Sequence, residues 1–296
     1  MKRIGVVGVP GGWSSEALAD AVGRLTGFRL LIELDKVCLD LSQGKVFYRD
    51  PDQGLVDLTS LDALILKKVG PYYSPSLMDR LEILRFVEER GVPVFSPALS
   101  VIRVLDRLSC TVTLAGAGIP MPATVVTEDP AQAVAAVERF GKAVLKPLYT
   151  SKARGMVVVE AGPQALARVE AFQEQGNTII YLQEMVDLGG MDLGVAFLGG
   201  RYLATYARAG SSGWHTSVRG EKGYRHYEPE PAIIELAERA QALFKLDFTC
   251  VDVALTPQGP VVFEVSAFGG FRGLRDASGI DAAGAYARYV LERLDA

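Results

Sequence analysis

The sequence predicts an α/β protein, with α+β elements, in which a small Rossmann-like open domain precedes a larger mixed region. Three observations carry this. An apolar run at the start ends in a glycine-rich turn and passes into helical periodicity. Strand and helix patterns then alternate to about residue 95, as in an open α/β sheet. Around Pro97 the character changes, and hairpins become the main device. A length of 296 residues suits about two compact domains.

Ile4 to Val9 reads as a first strand, punctuated by Pro10-Gly11-Gly12-Trp13. Ala17, Leu18, Ala21, Val22 and Leu25 follow at helical spacing, and Ser15 with Glu16 suits a helix N-terminus. Leu61 to Val69 is a strand, Ser76 to Glu89 a helix with Leu77, Leu81, Leu84 and Val87 inward, and Val92 to Phe95 a short strand. Val101 to Ala117 reads as one helix, stopped by Gly118 and the prolines Pro120 and Pro122. Ala131 to Phe140 is helical, and Ala143 to Lys146 is an apolar strand that contains a lysine. A polar, basic loop, Pro147 to Gly155, leads to a strand at Met156 to Glu160. A helix from Ala165 to Phe172 and a strand from Thr178 to Met185 come next. Met191 to Arg208 is a hairpin about Gly199-Gly200, a pair suited to a tight turn. Ile233, Leu236, Ala237, Ala240, Leu243 and Phe244 form a helical stripe, and Phe248 to Leu255 and Val261 to Val265 are strands.

Composition narrows the function. A hydrophobic fraction of 49 % supports real cores, and a net charge of −4 argues against a nucleic-acid footprint. The longest apolar runs fall well short of the roughly 20 residues a membrane helix needs, so no membrane partner is expected. Cys38, Cys110 and Cys250 are isolated, without metal or redox spacing, which suits a cytoplasmic chain with reduced thiols. The opening glycine turn is not G-x-G-x-x-G, so it is read as an ordinary strand-to-helix turn.

The last two strands carry the most chemistry. Side chains alternate faces along a strand, so Cys250 and Asp252 share one face and Glu264 and Ser266 share another strand's face. A hairpin centred on Gln258 sets Asp252 opposite Glu264. Like charges in that position repel, and they sit among Val251, Val253, Val262, Phe263 and Val265. A divalent cation relieves the repulsion, and magnesium is satisfied by one or two carboxylates. Arginine partners or an exposed edge would also relieve it. Lys146 in its aliphatic strand either calls for a partner, since lysine is almost never fully buried unpaired, or is a surface lysine on an edge strand. The basic loop after it suits a phosphate chain.

Together these residues resemble the ATP-grasp superfamily, in the branch of the RimK-type glutamate ligases and the lysine-biosynthesis ligases. The resemblance spans about Ser100 to Leu274. It rests on ordered elements: Val104-Leu105-Asp106-Arg107, Gly118 to Pro122, Leu145 to Leu148, Leu182 to Val186, Met191-Asp192, Val251-Asp252-Val253 and Phe263 to Ser266. The whole text also resembles the ATP-grasp member of the bacterial GAK system. The resemblance implies an ATP-grasp fold over residues 97–296 behind a pre-ATP-grasp domain at 1–96, with a lid at about 121–181 and a metal and phosphate subdomain at about 182–296. It implies ATP and Mg2+ (or Mn2+) as cofactors. Lys146 would face adenine and the α-phosphate, with Glu184, Met185 and Val186 beside adenine and Asp192 on the ribose. Arg107 and the Ser151 loop would reach phosphates, and His215 and Ser217 lie where relatives contact them. Asp252, Glu264 and Ser266 would hold the metal. Arg208 would face the γ-phosphate, and Arg272 a substrate carboxylate.

The sequence departs from the pattern at four places, one being a phosphate loop poorer in glycine than usual, for which Lys152 and Arg154 would compensate. Ser266 and Ser217 replace asparagine, and Gly194 stands where close relatives often carry arginine. The implied reaction is ATP-dependent ligation of a carboxylate to an amine (or thiol) through an acylphosphate, with small-molecule or peptide substrates. By analogy a homodimer is expected. A nucleotide sensor or scaffold that has lost ligation, or a phosphotransferase, are the alternative readings.

Overall fold

The computed structural model describes residues 1–70, 74, 76–150, 153–209 and 223–296. The first stretch holds β1 (Ile4–Val7), α1 (Trp13–Thr26) and β2 (Leu31–Ile32). Then come β3 (Cys38–Asp40), β4 (Lys45–Asp50), β5 (Gly54–Asp57), β6 (Ala63–Leu66), α2 (Ser76–Glu89) and β7 (Val94–Phe95). Strands β2-β1-β6-β7 form a parallel sheet, and its apolar, fully buried strands are what a sheet covered on both faces requires. The start of α1 differs in detail from the sequence reading. Gly12 is the N-cap, while Ser15 and Glu16 lie inside the first turn. Both reach back: Ser15 Oγ accepts from the Val9 amide at 3.1 Å and Glu16 from the Gly11 amide at 2.8 Å. Periodicity does not announce residues 38–57, where β3-β4-β5 make an antiparallel sheet. Only Val46, Tyr48 and Val56 of these short strands are buried, so the alternation is faint.

The next stretch holds α3 (Ala98–Leu105), α4 (Arg107–Gly116), β8 (Thr124–Thr127), α5 (Pro130–Phe140), β9 (Lys142–Leu145), β10 (Val157–Glu160), α6 (Ala165–Glu174) and β11 (Ile180–Glu184). The single helix expected over residues 101–117 is in fact two. Asp106 leaves helical geometry (φ −77°, ψ 107°) and caps the second helix by accepting from the Leu108 amide at 3.0 Å. Strands β10-β9-β11-β8 form an antiparallel sheet backed by α5 and α6, with its own core around Val137, Leu145, Val169 and Phe172.

The last stretch holds β12 (Met191–Leu198), β13 (Arg201–Ala209), β14 (Tyr224–Tyr227), α7 (Pro231–Ala242), β15 (Phe248–Thr256), β16 (Gly259–Ser266), α8 (Phe271–Ser278) and α9 (Ala282–Asp295). Strands β14-β13-β12-β15-β16 form one antiparallel sheet. The turn between β12 and β13 has Gly199 and Gly200 at φ 57° and 76°, as expected of that pair. The stripe of α7 buries Ile233, Leu236, Ala237 and Ala240. Two apolar cores tie this sheet to the parallel one. One joins Val7 and Leu64 to Val195 and Val251, and the other joins Val6 and Ile65 to Phe248 and Tyr286. Among the described residues no helix is long and apolar enough to cross a membrane.

Candidate active site

Strand register gathers the charged residues on one face of the five-stranded sheet. Asp192 pairs with Arg208, Gly194 with Tyr206 and with Asp252, and Asp252 with Glu264. The last pair forms for a reason the sequence does not announce. The turn pairs Thr256 with Gly259, half a residue earlier than a centre at Gln258, and this register alone would set Asp252 against Phe263. A β-bulge intervenes: Val253 pairs with Val262, Phe263 is the extra residue, and Asp252 meets Glu264 again.

Arginines accompany both carboxylates. Arg208 contacts Asp252 at 2.9 Å and also donates to Asp192, from Nε at 3.0 Å and from its terminal nitrogen. Asp192 is 6 % exposed, so this is a buried ionic cluster. Burial alone would weaken the Arg208 cation, but Asp252 and Asp192 outweigh it and hold its pKa well above the ordinary value. Burial pushes the Asp252 carboxyl up to about 7, against the pull of Arg208. Glu264 is half exposed, with Arg107 3.7 Å away. Among the described residues no group of three or more His, Cys, Asp or Glu side chains is placed to hold a metal ion alone. Two hard carboxylates on one face, one of them open to solvent, do fit magnesium, which completes its shell with water and phosphate oxygens. Ser266 shares that face, opposite Cys250. Its Oγ accepts from the Phe268 and Gly269 amides at 3.3 and 3.1 Å, so it first serves the turn that follows.

Gly194 has a local cause. The Tyr206 ring crosses β12 at this point to reach Cys250, with Oη 3.2 Å from Sγ. A Cβ on Gly194 would stand 2.3 Å from the Tyr206 Cζ, and one on Gly273 of α8 2.5 Å from the same atom. The ring therefore lies between two glycines and fills the space an arginine at 194 would need. Cys250 is a packed residue, as expected, and burial pushes its thiol up to about 12.

Lys146 follows β9, its amide bonded to the Tyr181 carbonyl at 2.9 Å. The partner it calls for is Gln183 on β11, to which Nζ donates, and Nζ lies 5.1 Å from the Phe263 ring centroid. Burial, together with the charge of Arg107, lowers its pKa to about 7. Arg107 begins α4 and donates to the carbonyls of Pro147 and Thr150 at 3.2 and 3.0 Å, so it braces the basic loop. Arg107, Thr111, Leu148, Thr150, Phe263 and Glu264 line one cleft between these elements. Glu184 ends β11, and Met185 and Val186 follow it, half-buried; the Met185 amide donates to Lys142 O at 2.9 Å. Arg272 lies on α8, exposed, 5.7 Å from the Trp13 ring centroid. Ser151, His215 and Ser217 lie outside the described residues.

The fold thus brings Arg107 and Glu264 to one cleft, with Lys146 beside the Phe263 that lines it, and gathers Asp192, Arg208 and Asp252 on the sheet face that continues from Glu264. Sequence reasoning missed Phe263, Tyr206 and Lys67. A lysine at the end of the fully buried strand β6 was the available signal for the last of these.

A family model described as the RimK-like ATP-grasp domain matches residues 104–290. The chain belongs to the RimK-like ATP-grasp family. It is an ATP-dependent ligase that forms a carbon–nitrogen bond, the class its relatives share. A tetrahydromethanopterin:alpha-L-glutamate ligase of Methanosarcina acetivorans is 26 % identical over 99 % of each chain. Among solved structures, the ATP-grasp ligase PsnB with a minimal precursor superposes with a TM-score of 0.75 at 17 % identity, over 99 % of each chain. A RimK domain ATP-grasp protein from Sphaerobacter thermophilus gives 0.73 at 22 %, over 97 % of this chain and 98 % of that one. ATP-grasp ligases use ATP with magnesium, and PsnB has also been solved with Mg and ADP.

Proposed function

We propose that this ligase joins a carboxylate-bearing small molecule or peptide to an amine in two steps, in the cytoplasm, with ATP and Mg2+ (or Mn2+). A carboxylate oxygen of the substrate attacks the γ-phosphorus, the bond to ADP breaks, and an acylphosphate forms. The amine then attacks the acyl carbon, phosphate leaves, and the amide nitrogen loses its proton. The observation that carries this reading is the shared face of Asp252, Glu264, Asp192 and Arg208, with Lys146 arriving from the facing sheet.

Asp252 and Glu264 would hold the cation, with Ser266 reaching it through a bridging water. When bound, the cation neutralises charge on the transferring phosphoryl group. Lys146 and Arg107 hold phosphate oxygens, and Glu184, Met185 and Val186 border adenine. Asp192 takes the ribose hydroxyls once Arg208 turns from it toward the γ-phosphate. Arg272 holds the substrate carboxylate, and His215 and Ser217 complete the phosphate contacts. Catalysis is then positioning and charge neutralisation, without a covalent protein nucleophile. The working division is a domain at 1–96, a lid at about 121–181 and a catalytic subdomain at about 182–296; the separate core around Val137 and Leu145 supports a lid that moves as a unit.

The test is ADP and phosphate release from Mg-ATP with a panel of carboxylates and hydroxylamine as the amine, scored as hydroxamate. Hydroxamate with stoichiometric ADP supports ligation. A stable phosphorylated product without hydroxamate replaces it with phosphotransfer, and nucleotide binding with no turnover for any carboxylate replaces it with sensing.

A further inference from the structure

Two side chains beyond strands of the parallel sheet, Lys67 after β6 and Trp13 at the start of α1, reach across to the segment that carries Arg272. Strands β1 and β6 are parallel neighbours, so their carboxyl ends lie on one edge, where open α/β sheets place their ligands. Beyond β6, Lys67 is 1 % exposed. Its Nζ donates to the Phe268 carbonyl at 3.0 Å and lies 3.6 Å from the Phe271 ring centroid. Among the described residues it forms no ion pair. Beyond β1, Trp13 lies beneath two guanidiniums, Arg275 at 4.1 Å and Arg272 at 5.7 Å. Arg275 is paired with Asp276 at 2.7 Å, whereas Arg272 has no ion pair or hydrogen bond among the described residues.

The segment from Phe268 to Arg275 is therefore held from within by Lys67 and from outside by Trp13. Stability alone gives a poor account of Lys67. An apolar side chain would fill the space between Phe248 and Phe271 without desolvating a charge. Burial is costly enough to lower the Lys67 pKa to about 7, and Lys68 adds to it. What the ammonium adds is direction: a hydrogen bond to one carbonyl, immediately before Gly269-Gly270 and the first turn of α8. Trp13 adds a flat surface on which the Arg272 guanidinium rests with its donors free.

We infer that Lys67 and Trp13 are positioning residues, which aim the Arg272 guanidinium at the carboxylate of the substrate. This rests on the ligase reading, which gives Arg272 that carboxylate. Glutarate, and its uncharged diamide as control, are titrated calorimetrically into the full chain saturated with MgADP. Glutarate is expected to bind, the diamide not, and Arg272→Gln to remove the binding. Lys67→Met should weaken glutarate about tenfold, ~1.4 kcal/mol, while its Tm holds or rises and its MgADP affinity stays unchanged. Trp13→Ala should weaken glutarate similarly, and Trp13→Phe should restore most of it. The inference is overturned if glutarate fails to bind, or binds Lys67→Met and Trp13→Ala as tightly as the parent. It is also overturned if Lys67→Met lowers Tm and weakens MgADP and glutarate alike, the mark of a purely structural tie. Failure of the parent protein to bind MgADP removes the ligase reading itself.

Discussion

Arg208 and Asp252 lie 2.9 Å apart on one face of the five-stranded sheet, so a guanidinium already neutralises the carboxylate best placed to hold a cation. The same guanidinium holds Asp192. Arg208→Gln leaves two largely buried carboxylates without their cation, and breaking a buried pair typically costs about 3–5 kcal/mol. We expect that loss in denaturant titrations with chelator present, and partial recovery with millimolar Mg2+. Equal loss in both conditions would mean that no cation reaches Asp252.

Asp252→Asn should separate stability from turnover. Burial already pushes the Asp252 carboxyl up to about 7, so asparagine imitates a form the site accepts near neutrality. Arg208 keeps Asp192 as its partner. Folding stability should change by less than ~1 kcal/mol, while Mg-dependent ADP release is lost. A strongly destabilised Asp252→Asn would make the carboxylate structural.

Lys146→Met tests the nucleotide side. The methionine keeps contact with Phe263 and removes the charge. Hydrogen bonds to charged groups contribute about 1.5–3 kcal/mol, so Mg-ATP should bind roughly 10- to 100-fold more weakly by calorimetry. Unchanged affinity would place the phosphates elsewhere.

Gly194→Ala should be destabilised by about 1–3 kcal/mol through overpacking, because its Cβ would stand 2.3 Å from the Tyr206 Cζ. Tyr206→Ala opens that space, so the double variant should lose less than the sum of the two. Strict additivity in a double-mutant cycle would show that the ring is not the obstacle.

Lys67 predicts a pH dependence. Its pKa is about 7 in the folded chain and near the ordinary 10.5 when unfolded. Between those values the unfolded chain binds the extra proton, so stability rises with pH from about 7 to about 10.5. Below 7 both states are protonated and the burial cost is felt in full. The rise should be shallower in Lys67→Met, measured by denaturant titration across that range. The same slope in both proteins would assign it to other groups.

Much of this was readable before folding. Alternating strand and helix patterns, the glycine turn at Gly199-Gly200, the apolar stripe of α7 and the ordered motifs from Arg107 to Ser266 are properties of near neighbours in the chain. Periodicity and turn chemistry register them directly. The pairing of Asp252 with Glu264 was readable too, although the register comes from a bulge at Phe263 that no periodicity announces. The kink at Asp106 was missed because its apolar flanks keep helical spacing on both sides of the cap.

Packing between distant segments decided the rest. Lys67 meets a carbonyl 201 residues away, Arg208 reaches two carboxylates on different strands, and Tyr206 crosses Gly194 to a cysteine 44 residues on. A residue pattern reports which face a side chain takes, not which strand will lie beside it. Nor does it report which charges will leave water together. Those follow only when the sheets close on one another, and they settle the charge balance around Asp252 and the way Arg272 is held.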